Sequence, residues 1–264
     1  MVVNPVRSLE MEVQSFLDVD NAIGVCNGTA ALHTSLLACG IQKGDQVITT
    51  PFTFPATANA ILMCGATPVF VDISPQTLCL DEKLVRGTLK GEDISGVLTV
   101  DLFGRFSDME ELEALCLDHG IPLVEDASQA FGAKYENRFA GTWGDAGTFS
   151  FYASKNLWSF EGGMIVTDND VIAHKAYLIR NHGLDDYGEM IMMGYNYKMP
   201  WICAFIADTN LRLHKPGIVA ELGRYGLEDG YYPRVVYEHK HYRQLGITGY
   251  CPVAEKIAKY VRTR

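Results

Sequence analysis

Short apolar runs alternate with longer helix-like stretches along the first two thirds of the chain. Apolar, β-branched runs between turn residues are typical of buried strands, and longer stretches closed by glycine are typical of helices. The predicted strands are 22–25, 46–50, 68–71, 94–100, 122–125, 147–151 and 164–167. The predicted helices are one ending at 13–17, then 28–37, 55–64 and 109–119. This rhythm predicts an α/β fold, a three-layer, mostly parallel sheet with helices on both faces.

The last third of the chain has a less regular pattern. Residues 198–212 are predicted to be largely helical, and a second helical piece is predicted over 215–226, beginning near Pro216. An aromatic and basic stretch follows at 231–242, and 252–261 is predicted to be a final helix.

Composition narrows the classes of function. The 264 residues are 48% hydrophobic and 20% charged, which is ordinary for a globular protein with a substantial core. A net charge of −10 argues against nucleic acid as a partner, although backbone N–H groups can still hold a phosphorylated small molecule. No apolar run is long enough to span a bilayer and the first residues lack a signal-peptide core, so neither a membrane partner nor export is expected.

Cysteine and histidine usage adds two expectations. The seven cysteines are scattered and form no C-x-x-C pair, which favours reduced thiols in a cytoplasmic protein. The histidines show no compact pattern with carboxylates or thiols, so no metal site is expected.

An acidic residue follows a buried strand in the segment 124–130, VEDASQA. A carboxylate in this place can pair with a cationic ring nitrogen and keep it protonated, as a pyridoxal phosphate (PLP) ring requires. Asp126 is equally suited to cap a short helix, and the segment alone favours that interpretation.

A lysine lies in a loop between two strands in the segment 147–157, GTFSFYASKNL, which EGG follows at 161–163. The amine of Lys155 can form a Schiff base if its surroundings lower its pKa. Ser150 can donate to a phosphate, and Gly162 and Gly163 permit close backbone approach. The alternative is a solvated surface lysine.

Two further segments fit a phosphorylated ring. CNGTAAL, at 26–32, is a small-residue turn at a predicted helix start, where free N–H groups and the helix dipole favour phosphate; an ordinary capped helix explains it as well. Phe54, in the segment FTFPATANA at 52–60, either stacks on a flat ring or belongs to the core.

These segments occur in one order along the chain, together with GATPVFVDI, RNHG and GYNYKM. In this combination the sequence resembles the DegT/DnrJ/StrS sugar aminotransferases over 6–207. The resemblance implies a PLP-dependent transferase of fold type I, similar to aspartate aminotransferase. Residues 1–207 would then be the large PLP-binding domain, and 208–264 a truncated C-terminal domain of α+β character.

The resemblance also implies the residues of a PLP site. Lys155 would hold the cofactor as a Schiff base and act as the catalytic base. Asp126 would pair with the pyridine nitrogen, and Gln129 would contact the ring hydroxyl. The residues implied to hold the phosphate or to stack on the ring are Gly28, Thr29, Ala30, Ser150 and Phe54. Asn196 would reach the phosphate of a neighbouring subunit, which implies a homodimer.

The implied reaction moves an amino group from glutamate or glutamine to a nucleotide-linked keto-sugar, in the biosynthesis of amino sugars for cell-surface polysaccharides or antibiotics. Lysine rather than histidine at position 155 favours transamination over deoxygenation. The chain is expected to be shorter than family members at both ends and near 210–214. An alternative is therefore a shortened PLP-binding homologue with little or no activity. A third interpretation is a nucleotide-binding α/β domain without PLP.

Overall fold

A computed structural model of the chain describes residues 4–220 and 229–263, with the side chains of 4–213 and 229–263. The helices are α1 (Pro5–Leu17), α2 (Gly28–Ala38), α3 (Pro55–Met63), α4 (Glu82–Leu89), α5 (Met109–His119), α6 (Asp170–Arg180), α7 (Trp201–Ala220), α8 (Lys240–Gln244) and α9 (Pro252–Arg262). The strands are β1 (Asn21–Val25), β2 (Gln46–Thr49), β3 (Thr67–Phe70), β4 (Gly96–Val100), β5 (Leu123–Asp126), β6 (Lys134–Tyr135), β7 (Arg138–Phe139), β8 (Ala146–Ser150) and β9 (Gly163–Thr167).

Seven of these strands form one sheet in the order β1-β9-β8-β5-β4-β2-β3. β9 runs antiparallel to both of its neighbours, whereas the pairs from β8 to β3 are all parallel. The predicted mostly parallel α/β sheet is therefore confirmed. In such a sheet the carboxyl ends of the parallel strands share one edge, where ligands bind.

Helices cover both faces of the sheet, because alternate strand residues point to opposite sides. Ile48, Val97 and Leu123 pack with residues of α1, α4, α5 and α7. Their neighbours Val47, Leu98 and Val124 belong to a second cluster formed with α2 and α3. All residues of β4, β5 and β9 are buried, as expected for central strands of a three-layer fold.

Local signals account for several helix boundaries. The Asp108 carboxylate accepts from the Glu111 N–H at the start of α5, and Gly120 ends this helix in the left-handed conformation. The predicted bounds 109–119 match α5. Asn27 caps α2 by accepting from the Ala30 N–H at 2.8 Å.

The prediction of a helix break before Pro216 is wrong. α7 continues from Trp201 to Ala220 as one helix. A proline removes one backbone donor, and here the turns on either side keep the helical path. The remainder of the predicted second piece, 221–226, lies outside the described residues. The predicted domain division between 207 and 208 falls within α7 and stays a prediction.

The C-terminal residues 229–263 pack against the carboxyl edge of the large sheet. Val235, Tyr237 and Ala258 share a buried cluster with Phe52 and Phe103. The Asp72 carboxylate accepts from the N–H groups of the first turn of α9 at 2.8 and 2.9 Å. In residues 229–263 the regular elements are helical turns and the helices α8 and α9. Of the α+β character expected for this part, the described residues therefore show only the helices. No helix in the described ranges is long and apolar enough to cross a bilayer.

Candidate active site

A cavity of about 980 Å³ opens at the carboxyl edge of the sheet. Its walls come from the turn before α2, the segment before α3, the ends of β5 and β8, the loop after β8 and the C-terminal residues. Seven of the nine predicted site residues line it: Gly28, Thr29, Phe54, Asp126, Gln129, Ser150 and Lys155. The structure thus brings together residues from four separate segments of the sequence.

Lys155 lies in a tight loop between β8 and β9. The loop is fixed by bonds from the Lys155 N–H to the Tyr152 carbonyl at 2.9 Å and from the Asn156 amide to the Phe131 carbonyl at 2.7 Å. Leu157 is buried beneath it. Burial lowers the pKa of the Lys155 amine, and the charge of Asp126 partly opposes this effect. At a given pH, a lysine with a lowered pKa has a larger fraction of its amine in the neutral, nucleophilic form than a solvated surface lysine has.

Asp126 ends β5 and is nearly buried. Its Oδ2 accepts from the Thr57 hydroxyl at 2.7 Å, and that hydroxyl lies 3.0 Å from the Thr53 hydroxyl. Its Oδ1 accepts from the Ser128 N–H at 3.3 Å, within a turn rather than at a helix start. The helix-cap interpretation is therefore not supported, and the carboxylate lines the cavity with a fixed orientation.

The turn before α2 forms the end of the cavity that is suited to a phosphate. Asn27 engages the Ala30 N–H, whereas the first-turn N–H groups of Gly28 and Thr29 have no acceptor within their own helix. Gly28 lies so close to Ser150 that an added Cβ would meet the serine Cβ at 2.8 Å. Gly163 likewise approaches the backbone of Asn27, where a Cβ would come within 2.6 Å. These glycines bring backbone donors and the Ser150 hydroxyl to one place.

Two predicted residues do not line the cavity. Ala30 is buried one residue further into α2. Asn196 is exposed on an irregular segment between two half-buried tyrosines, Tyr195 and Tyr197, and its backbone pairs with Asn181. Neither placement tests the implied roles, and the role of Asn196 concerns a second subunit.

Gln129 connects the cavity floor to the C-terminal residues. Its Oε1 accepts from the Phe103 N–H at 3.2 Å, and its Nε2 donates to the Tyr232 hydroxyl at 2.6 Å. Burial raises the pKa of Tyr232 far above its usual value, so the hydroxyl stays protonated. Both ends of the Gln129 amide are therefore fixed.

One wall of the cavity was not predicted from the sequence. The C-terminal wall, as we name it here, comprises Gly230, Tyr231, Tyr232, Pro233, Arg234, His239 and Arg262. The aromatic and basic composition of 231–242 was its only local signal. Tyr152 and Glu161 also line the cavity without having been assigned a role.

Buried acids lie beneath the site. Burial raises the pKa of Asp101 well above its usual value, and Glu125 and Asp126 add to this increase. Burial also raises the pKa of Glu125 to about 7, against three backbone N–H groups that donate to its carboxylate. Asp126 thus has two acidic neighbours, Asp101 directly after β4 and Glu125 on β5.

This set of donors fits PLP. N–H groups at a helix start and the Ser150 hydroxyl suit a phosphate, a buried carboxylate suits a ring nitrogen, and a lysine with a lowered pKa suits an aldehyde. Among the described residues no group of three or more histidine, cysteine or acidic side chains is arranged to hold a metal ion.

Comparisons with known proteins point the same way. The sequence profile of the DegT/DnrJ/EryC1/StrS aminotransferase family matches residues 3–216. The chain is 41% identical over 205 residues to a pleiotropic regulatory protein of Geobacillus stearothermophilus, covering 77% of this chain and 55% of that protein. It is 38% identical over 205 residues to a GDP-perosamine synthase of Vibrio cholerae, covering 76% of this chain and 55% of the relative. The chain therefore spans about half the length of the curated relatives that it matches.

The structural match extends further along the chain than the sequence match. The crystal structure of DesV from S. venezuelae, in complex with ketimine intermediate, superposes with a TM-score of 0.87 at 28% identity. That superposition covers 98% of this chain and 83% of DesV. PLP is the cofactor of these aminotransferases. The predicted family and fold are confirmed, and the chain belongs to the DegT/DnrJ/EryC1/StrS aminotransferase family.

Proposed function

We propose that the protein is a PLP-dependent aminotransferase that moves an amino group from glutamate or glutamine to a nucleotide-linked keto-sugar. The observation that carries this proposal is the convergence of Lys155, Asp126 and the Gly28 turn on one cavity. The relatives support the substrate class, since one is named GDP-perosamine synthase. Such names do not favour the inactive-homologue alternative. We propose that this activity serves the biosynthesis of amino sugars.

PLP, when bound, supplies a carbonyl that exchanges amino groups and a ring that accepts electrons. Gly28, Thr29 and Ser150 would hold its phosphate, with Ala30 supporting the same turn. Asp126, oriented by Thr57 at 2.7 Å, would keep a ring nitrogen protonated. Gln129 would contact the ring hydroxyl, and Phe54 would cover the ring. The neutral Lys155 amine would take up and return the proton that moves between carbon atoms.

The proposal includes a homodimer. Phe54 is 62% exposed, as are large parts of Trp201, Ile202 and Phe205 at the start of α7. The exposed Trp158 lies next to the same helix, since its backbone carbonyl accepts from Asn210 of α7 at 2.9 Å. An apolar surface such as the one at the start of α7 favours a protein partner. Asn196, a few residues before α7, would then reach the neighbouring site.

Sedimentation tests the dimer. Phe205→Glu should yield mostly monomer, because it places a charge within the apolar surface. Leu117→Glu is the matched control, since Leu117 is 80% exposed on α5, outside this surface, and its replacement should leave the mass unchanged. A dimer that withstands Phe205→Glu would contradict the proposed interface.

We propose a cytoplasmic location. The seven cysteines are free, and four of them lie on buried positions where burial raises the thiol pKa to about 12: Cys64, Cys79, Cys116 and Cys251. Such thiols are inert and suit a reducing compartment.

The test of the proposed function is spectroscopic. The purified chain supplied with PLP should show a visible absorbance band that borohydride abolishes, leaving a fixed mass increase at Lys155. Lys155→Ala should lack both signals, whereas Lys175→Ala, an exposed lysine on α6, should keep both. In a sample without borohydride, glutamate or glutamine should remove the band, and nucleotide-linked keto-sugars should restore it. A band that no amino donor converts would instead favour the inactive homologue.

A further inference from the structure

The C-terminal wall carries three basic side chains, Arg234, His239 and Arg262. They face a cavity in a protein whose net charge is −10, so this concentration of basic groups is local. The acidic side chains that line the same cavity are Asp126, which is already bonded to Thr57, and Glu161 in the loop after Lys155. The wall therefore offers positive charge that the cofactor residues described above do not use.

The backbone on both sides of Arg234 is anchored. The Tyr232 hydroxyl accepts from Gln129 at 2.6 Å, and the Pro233 carbonyl accepts from Arg262 Nε at 2.9 Å. On the other side, the Val236 N–H donates to the Pro51 carbonyl at 2.9 Å. These bonds come from three different parts of the chain, and they fix the position from which the Arg234 side chain extends.

The Arg234 guanidinium itself is exposed and lines the cavity. Within the described part of the chain, no hydrogen bond or ion pair engages it. Arg262 is different, because its Nη2 lies 3.2 Å from Glu238 Oε2 and its Nε holds the Pro233 carbonyl. Arg262 therefore positions the segment, and Arg234 is the uncompensated cation of the wall.

We propose that Arg234, assisted by His239 and positioned by Arg262, binds the diphosphate of a nucleotide-linked substrate and so determines substrate specificity. This assignment rests on the proposed function. A planar guanidinium engages phosphate oxygens in pairs, and an anion with several charges gains most from neighbouring cations. Gly28 and Ser150, which would hold the phosphate of the cofactor, lie on other elements than the C-terminal wall.

The experiment uses the full chain loaded with PLP and compares Arg234→Gln with Lys240→Gln. Lys240 is exposed on α8 and does not line the cavity, so its replacement removes the same charge nearby. UDP, GDP and dTDP are titrated calorimetrically, and conversion of the absorbance band by L-glutamate is followed in parallel. Arg234→Lys serves as a further variant that keeps the charge but loses the paired donors.

At least one nucleoside diphosphate should bind the parent protein, and Arg234→Gln should weaken that binding about 10- to 100-fold. Arg234→Lys should fall between, and Lys240→Gln should bind as the parent does. Lys240→Gln should leave the glutamate reaction unchanged, and in Arg234→Gln the loss of diphosphate affinity should exceed any change in that reaction. Equal diphosphate affinity in Arg234→Gln, or a loss confined to glutamate, would overturn the assignment.

Failure of the underlying function would look different from failure of this inference. A missing cofactor band, or one that no amino donor converts, would reject the aminotransferase proposal. An intact, convertible band in a protein that binds none of the three diphosphates would reject only the role of Arg234.

Discussion

The Gln129 side chain donates from Nε2 to the Tyr232 hydroxyl at 2.6 Å, joining residues that are 103 positions apart. This bond connects the end of β5 to the C-terminal wall. Tyr232 also adopts a left-handed backbone conformation with φ of 58°, which is unfavourable for a tyrosine and requires support from its surroundings.

Tyr232→Phe should lower the free energy of unfolding by about 1 kcal/mol, because it leaves the half-buried Gln129 amide without one acceptor. Denaturant titration measures the change. Tyr250→Phe is the control, since Tyr250 is 84% exposed, and it should alter stability by less than about 0.5 kcal/mol. Equal stabilities for both variants would show that the bond contributes nothing to the wall.

The sequence was sufficient to predict the central layers of the fold. Strands such as β4 are buried on both faces and therefore appear as continuous apolar runs. α5 was predicted with correct bounds because Asp108 and Gly120 mark its ends by local chemistry. α4 and α6 were not identified. Pro216 predicts a helix boundary, yet the helical path continues through it, because local propensity does not decide the course of a long helix.

The site residues that belong to sequence motifs could be predicted. Asp126 and Lys155 had ordinary alternatives when taken singly, and their order along the chain brought them together. Arg234 had no such signal, because its place in the cavity depends on packing against strands more than a hundred residues earlier. Contacts of that kind leave no local periodicity in a single sequence.

Gly28→Ala should weaken both cofactor binding and stability. The added Cβ would meet Ser150 Cβ at 2.8 Å, and overpacking of this kind costs about 1–3 kcal/mol. Gly87→Ala is a control of opposite sign, since Gly87 lies exposed within α4 with nothing within 4 Å of an added Cβ. It should stabilise the protein by about 0.5–1 kcal/mol. Thermal unfolding and PLP titration distinguish the two, and a neutral Gly28→Ala would refute the close approach.

Asp126→Asn should lower the pKa of the Lys155 amine further. The charge of Asp126 raises this pKa against the effect of burial, so its removal favours the neutral amine. The pH profile of Lys155 labelling by an amine-reactive reagent, followed by mass spectrometry on the cofactor-free protein, should move to lower pH. Glu161→Gln, at an exposed position of the same cavity, should move it less because solvent screens that charge. An unchanged or more alkaline profile for Asp126→Asn would contradict the pairing.

Asp101→Asn should make the protein less sensitive to rising pH. Burial raises the pKa of Asp101 in the folded state above about 3.9, its value in an unfolded chain. The folded state then holds a proton that the unfolded state has lost, so this group contributes stability at low pH that disappears as pH rises. Unfolding free energies at pH 5 and pH 7.5 should show Asn gaining relative to Asp at the higher pH. Asp118→Asn, an exposed control, should show no such trend.

The C-terminal wall also has a consequence for the order of folding. It belongs to the C-terminal residues 229–263, whose contacts join positions such as Asp72 and Val253, which are 181 residues apart. The entropy of closing such long loops delays these contacts relative to the nearer pairings of the sheet. The parallel strands, whose partners lie much closer along the chain, can therefore pair before the wall docks. PLP would then bind to an incomplete, open cavity during folding, and the C-terminal wall would enclose the cofactor when it docks.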